Sequence, residues 1–491
     1  MESEQHSQNL ERVPSGISGL DAILQGGFLK GGVYIVQGVP GTGKTVLANH
    51  ICFNHVACGG RAAYLTLLAE SHARMLQHLR PLAFFDDAVI PDRLYYASAY
   101  STLEEQGLKG LLDLIRHEIR GQTASLLVLD GFVVAGLTAP SEREFKKFVY
   151  EVQVYANVMN CTVLLLTSNE PGPVRAEHTI VDGVIELDDR LFDHRTERGV
   201  QIRKHRGSGF LRGVHPFRIT ATGIVVYPRI EVAFASPSRR DQPPRDRVST
   251  GVASLDALIG GGLIDATTSV VMGPTGIGKT TFGLQFLARS RQEEPGLLFG
   301  FYETPERLKA KAEALGLDLT GLEASGAVEI VWQPQGENVL DELGHRLLDA
   351  VRHRGVRRLF MDGLGGLIES AVYPDRISRF LSVLSNELRA LGATTVYSME
   401  TRDIIGPTVQ VPISGISSLV EGMMVLRYVE AQGRTHRVLS ITKIRDSAFD
   451  PALQAFSITS GGLEVIGPFQ GHEAVLSGSA HTLQAPPPEG R

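Results

Sequence analysis

The sequence predicts an α/β fold written twice, each half a mostly parallel sheet flanked by helices and closed by a β-meander. Three observations carry this expectation. The chain repeats itself at a spacing of 235 residues, short apolar runs alternate with helical patterns, and a glycine-rich loop follows an early apolar run in each half. Strands alternating with helices imply parallel pairing, with both sheet faces covered. At 491 residues the chain is well past the roughly 250–300 at which one core splits, and a prior of about 150 residues per domain would allow about three. The repeat makes it two.

Ser15-Gly16-Ile17-Ser18-Gly19-Leu20-Asp21 returns 235 residues on as Thr250-Gly251-Val252-Ala253-Ser254-Leu255-Asp256, and Gly26-Gly27-Phe28 as Gly261-Gly262-Leu263. The loop 38–45 (GVPGTGKT) returns at the same offset as 273–280 (GPTGIGKT). Asp130 matches Asp362 at 232, and Phe217 matches Phe456 at 239. Order and spacing survive with drifts of a few residues, the mark of a tandem duplication.

Within each half, the apolar runs 33–36 and 269–272 lead into the loops as strands. Behind the loops, Leu47 and Ile51, or Phe282 and Phe286, lie four apart and share a helix face. Runs 162–166 and 394–397 read as further buried strands, while 201–206, 217–220 and 224–227 alternate as a meander does. A stretch rich in Pro, Ser and charge, 235–247, reads as a linker between domains 1–234 and 248–468, and the proline-rich 469–491 as a flexible tail.

Composition narrows the function. Hydrophobic residues at 43% and charged residues at 21% exclude wholesale disorder. The 48 basic and 54 acidic residues give a net charge of −6, which does not favour a nucleic-acid coat. Three cysteines make no disulfide framework and no zinc spacing. The polar N-terminus carries no secretory signal, and no apolar run approaches the ~20 residues of a membrane span. A cytoplasmic protein without membrane attachment is expected.

The two loops carry the chemistry. GxxxxGK[ST] between a buried strand and a helix lets backbone N–H groups wrap a triphosphate at the positive end of the helix. Gly38, Gly41, Thr42 and Gly43 form this cradle in the first copy. Gly273, Thr275, Gly276, Ile277, Gly278 and Thr281 belong to it in the second. Lys44 and Lys279 would reach the β/γ-phosphates, and Thr45 and Thr280 would offer hydroxyls to Mg²⁺. A glycine-rich turn with an incidental lysine is the alternative, and two matches at equivalent positions dispose of it. Asp130 and Asp362 each end an apolar run, 86 residues after Lys44 and 83 after Lys279. This is where a Walker B carboxylate helps hold Mg²⁺. ATP and Mg²⁺ are the expected cofactors.

Over about residues 12–467, these motifs together resemble the KaiC family, tandem RecA-like ATPases and autokinases. The resemblance implies two RecA-like P-loop domains. It also implies two adjacent glutamates after the strand that follows the P-loop helix, one of which activates the attacking water or hydroxyl. The second copy keeps one, Glu303, 24 residues after Lys279. The first copy reads Leu67-Leu68-Ala69-Glu70-Ser71. Two registers stay open there: Glu70 at the second position, or a slip that leaves apolar residues at both, with Glu70 a surface helix cap.

The resemblance further implies a homo-hexameric ring with ATP at subunit boundaries, into which a Lys-x-Arg strand reaches from the neighbour. Lys204 and Arg206 match Lys443 and Arg445 at an offset of 239. Cations supplied in trans stabilise transition-state charge, whereas a solvated basic strand edge is the plainer reading. In the family a hydroxyl pair of the second copy takes phosphate from the neighbour's ATP. Ser417 and Ser418 stand in that segment, and the first copy's Glu177-His178-Thr179-Ile180-Val181-Asp182 lacks the pair. The expected function is ATP hydrolysis in a ring, with Ser/Thr autophosphorylation in the second copy as a signalling or timing switch acting on protein partners. The alternatives are a RecA-like DNA-dependent ATPase or recombination accessory, and a scaffold that ATP cements with little turnover. The acidic charge counts against the first; the apolar Leu68-Ala69 favours the second.

Overall fold

The computed structural model describes residues 10–68, 72–168, 177–238, 246–401, 413, 415–431, 433–445 and 447–470. The chain divides into two compact units, Met1–Ala233 and Phe234–Arg491. Each contains one nine-stranded sheet of the same strand order. In the first unit, Leu94–Ser98, Ala62–Thr66, Leu126–Asp130, Thr162–Thr167, Val33–Gln37 and Gly183–Phe192 run parallel as neighbours in that order. Arg195–His205, Val214–Thr220 and Gly223–Val226 then continue the sheet antiparallel. The second unit repeats this with six parallel strands, Thr268–Gly273 among them, and the antiparallel Arg434–Ile444, Gln454–Thr459 and Gly462–Pro468. The mostly parallel sheet and its closing meander are those expected from the sequence.

Unbroken apolar runs form the central strands because helices cover both faces. Tyr34, Val36, Val128 and Leu164 pack into one apolar cluster of the first unit. Their strand neighbours Val33, Ile35, Leu127 and Leu165 pack into another. This is the period-two alternation of strand side chains, with both sides buried.

The repeated motif near the start of each unit is a polar clasp. The Asp21 carboxylate accepts the Ser15 N–H and hydroxyl, each at 2.7 Å, and the Gly16 N–H at 3.1 Å. Asp256 accepts the Thr250 N–H at 2.8 Å and hydroxyl at 2.7 Å, and the Ser249 hydroxyl at 2.6 Å. Both clasps fix the turn that opens the helices Ser18–Ile23 and Ala253–Leu258. At the start of the second unit, Ser238 donates its N–H to the buried Glu387 carboxylate at 2.8 Å and its hydroxyl at 2.5 Å. Arg352 pairs with the same carboxylate at 2.7 Å and lies over the Phe234 ring. At the other end, the Phe469 N–H bonds the Leu453 carbonyl, and its ring meets His436 edge-on. No helix among the described residues is long and apolar enough to cross a membrane.

The copies differ where His205 stands. Strand register pairs His205 with Gly183 as it pairs Ile444 with Gly422. His205 is buried against Tyr34, and neither ring nitrogen finds a hydrogen-bond partner among the described residues. Burial pushes its pKa down to about 4. A depressed histidine pKa means that the unfolded chain takes up the proton first. The stabilisation is therefore complete above about pH 6.5 and is lost as pH falls towards 4. His205→Ile is expected to reduce the loss of first-unit stability between pH 7 and pH 4.5 by up to about 2 kcal/mol. Urea denaturation at the two pH values checks this; an unchanged acid loss would contradict it.

Candidate active site

Both glycine loops leave the carboxyl end of a central strand and enter a helix at Lys44 or Lys279. Gly43 and Gly278 take φ of 98° and 121°, a region closed to most side chains. A Cβ would also lie 2.8 Å from Ile219 at Gly43 and 2.5 Å from Ile458 at Gly278. The closing meander thus presses on the loop from behind. Thr42 bonds back to the Val39 carbonyl at 2.9 Å, and Ile277 is wholly buried, so these two shape the loop from inside. Thr275 donates to Glu400, at the end of the strand Thr394–Glu400.

The lysines fold over their loops. The Lys44 ammonium donates to the Gly38 carbonyl at 2.6 Å and the Val39 carbonyl at 3.0 Å. Lys279 does the same to Gly273 at 2.7 Å and Pro274 at 2.8 Å. Burial lowers the pKa of both, opposed by Asp130 for Lys44 and by Glu400 and Asp362 for Lys279. Thr45 donates to Asp130 at 3.2 Å, and Thr280 to Asp362 at 3.0 Å. A hydroxyl and a carboxylate held together at the start of the P-loop helix are a donor set that suits Mg²⁺ bound to phosphate oxygens.

Each copy orients its aspartate differently. Asp130 accepts the buried Tyr64 hydroxyl at 2.7 Å, whereas Asp362 accepts the Ser398 hydroxyl at 2.7 Å. Ser398 in turn accepts the Gly363 N–H at 2.8 Å. Burial raises the Asp362 pKa, opposed by its Ser398 and Thr280 hydrogen bonds. Neither Tyr64 nor Ser398 was legible as a site residue, since each lies on a different strand from its aspartate.

In the second copy these groups line one cavity of about 890 Å³, together with Tyr302, Glu303, Lys311 and Glu369. That volume suits a ligand of nucleotide size. Glu303 forms an ion pair with Lys311 at 2.5 Å, eight residues on along the helix Pro305–Ala314. The first copy follows the same register up to Leu68: Thr66 pairs with Asp130 as Gly300 pairs with Asp362. Leu68 then lies over Gly131 as Tyr302 lies over Gly363. Met75, the first buried residue of the next helix, comes nine residues after Thr66, whereas Leu308 comes eight after Gly300. One extra residue therefore separates strand and helix in the first copy, and Glu70 lies in that interval, outside the described residues.

The basic pairs are not at the P-loops of their own units. Lys443 pairs with Met423, and Met423 with Val270, near the start of the strand that ends at Gly273. Lys204 pairs with Val184, and Val184 with Ile35. Both pairs thus stand towards the amino edge of the parallel strands, while both P-loops stand at the carboxyl edge. The Lys443 ammonium donates to the carbonyls of Ser417 and, at 2.7 Å, of Val420, and Arg445 donates to that of Ser418 at 3.3 Å. Lys204 and Arg206 hold 178–181 in the same manner. Ser417 and Ser418 are both exposed, on the short helix Ile416–Leu419.

A family model described as the ATPase KaiC matches residues 13–231 and again 248–469. The chain belongs to the KaiC family. Both halves are RecA-like α/β domains of this ATPase family. The circadian clock oscillator protein KaiC of Nostoc sp. is 25% identical over 97% of this chain and 94% of its own length. The circadian clock oscillator protein KaiC 1 of Synechocystis sp. is 25% identical over 96% and 92%, and the KaiC protein of Thermostichus vulcanus 26% identical over 97% and 93%.

At Gly278, a side chain meets both a strained φ and Ile458. Gly278→Ala in the full chain is expected to weaken ATP binding at the second loop by about tenfold or more. Adding Ile458→Ala should recover part of that loss. Calorimetric titration checks both, and unchanged affinity in Gly278→Ala would contradict the packing described.

Proposed function

We propose that the protein binds Mg-ATP at both P-loops, hydrolyses it within a homo-hexameric ring, and transfers phosphate to Ser417 and Ser418 of the neighbouring chain. One observation carries this reading: Ser417, Ser418, Lys443 and Arg445 lie towards the amino edge of a sheet whose P-loop lies at the carboxyl edge. A chain's own acceptors and cations are therefore at the wrong edge for its own triphosphate. Head-to-tail packing around a ring brings one edge to the other, and closed heterologous interfaces are how rings form.

In this reading, Lys279 and the N–H groups of the loop 273–280 hold the β- and γ-phosphates. Thr280 and Asp362 hold Mg²⁺, as Thr45 and Asp130 do in the first copy. Bound there, the ion would supply positive charge to offset that on the phosphate oxygens. Glu303 takes the proton of the attacking water or serine hydroxyl, and Lys311 holds its carboxylate in the cavity. Glu70 is the proposed counterpart in the first copy. The neighbour's Lys443 and Arg445, and Lys204 and Arg206 in the first copy, meet the developing charge. A phosphate added beside such cations shifts the interface equilibrium, which suits a switch read by protein partners. The clock role named for the relatives agrees with a timing or signalling function of this kind in the cytoplasm.

Mixing two complementary chains tests the transfer. Lys279→Ala removes the phosphate-binding lysine, and Ser417→Ala/Ser418→Ala removes the acceptors. Co-incubated with Mg-ATP, the Lys279→Ala chain is expected to gain phosphate on its Ser417/Ser418 peptide, although neither chain does so alone. Wild-type phosphorylation without such complementation would contradict transfer between chains. ADP release with no phosphate on any chain would leave a plain tandem ATPase, to be examined next for single-stranded DNA binding.

A further inference from the structure

We infer that the first copy carries a phosphoacceptor of its own, Thr179, which takes the γ-phosphoryl group of the ATP bound at the first P-loop of a neighbouring chain. The inference rests on the transfer reading above and extends it to a residue outside the Ser417/Ser418 pair.

The clamp contacts of the two copies correspond residue for residue. Adding 239 carries Lys204 to Lys443, Arg206 to Arg445, His178 to Ser417, Thr179 to Ser418 and Val181 to Val420. The contacts follow that arithmetic. Lys204 donates to the carbonyl of His178 at 2.8 Å and of Val181 at 2.6 Å, as Lys443 does to those of Ser417 and Val420. Arg206 donates to the Thr179 carbonyl at 2.5 Å, as Arg445 does to that of Ser418 at 3.3 Å. The carboxylate that anchors the next residue also corresponds: Asp182 accepts the Val33 N–H at 2.9 Å, and Glu421 the Thr268 N–H at 3.0 Å. Both helices are a single turn, Glu177–Ile180 and Ile416–Leu419.

At Ser417's place the first copy has an imidazole, and at Ser418's place a secondary hydroxyl. Thr179 is exposed, as Ser418 is. It also sits next to the same Lys-x-Arg cations, whose charge favours a phosphate ester once formed. The adjacent His178 is why the segment does not read as an acceptor site in sequence. The equivalence appears only when the clamp contacts of the two copies are aligned.

The step is an ordinary phosphoryl transfer. Thr179 Oγ1 forms a bond to the γ-phosphorus, and the bond from that phosphorus to the β,γ-bridging oxygen breaks. The bonding pair leaves with ADP, and the hydroxyl proton passes to water. No co-reactant beyond ATP is required.

Peptide mass spectrometry of the full chain after incubation with Mg-ATP tests the assignment. The Ser417→Ala/Ser418→Ala chain is expected to keep a phosphopeptide containing Thr179. Adding Thr179→Val should abolish it, and Thr179→Ser in the same background should retain it, which separates loss of the hydroxyl from loss of the fold. Wild-type phosphate confined to Ser417 and Ser418 would overturn this inference alone. Absence of phosphate from every peptide of the wild type would overturn the transfer reading on which it rests.

Discussion

The parallel sheet imposes the constraint on which the rest of the molecule depends. Six neighbouring strands point the same way, so every loop that leaves a carboxyl end gathers on one edge. Both P-loops, Asp130 and Asp362, and Glu303 follow that rule, as ligand sites of open α/β sheets do. The antiparallel meander breaks it. By reversing direction, Arg195–His205 and Arg434–Ile444 return basic side chains to the opposite edge, where they clamp the turn of helix that precedes the sixth parallel strand. One sheet thus carries a glycine-rich P-loop on one edge and a pair of basic side chains on the other.

Duplication lets each copy serve as a control for the other. The Asp21 and Asp256 clasps and the Lys-x-Arg clamps are made by equivalent residues in both units. Tyr64 orients Asp130 where Ser398 orients Asp362, and the segment after the second-edge strand is one residue longer in the first copy. His205 stands where the second copy has Ile444, between the two cations of the clamp.

Much of the fold was legible because its signals are local. The strand–loop–helix around each P-loop, the apolar runs ending in Asp130 and Asp362, and the repeat itself all lie in contiguous or regularly spaced residues. The partners of the aspartates were not legible, because Tyr64 and Ser398 come from neighbouring strands and only pairing register brings them close. Lys311 was hidden for a different reason: at eight residues from Glu303 it looks like one more charge on a solvated helix. The basic pairs were visible as a recurrence, yet their edge of the sheet was not, since it follows from the reversal of the meander strand.

If the two edges meet only between chains, catalysis must depend on assembly. The most direct test is ATP turnover per chain across a dilution series, with mass in solution followed by light scattering in the same samples. The account predicts that turnover per chain falls as the ring dissociates, in step with the loss of mass. Turnover that stays constant in dissociated single chains would contradict it.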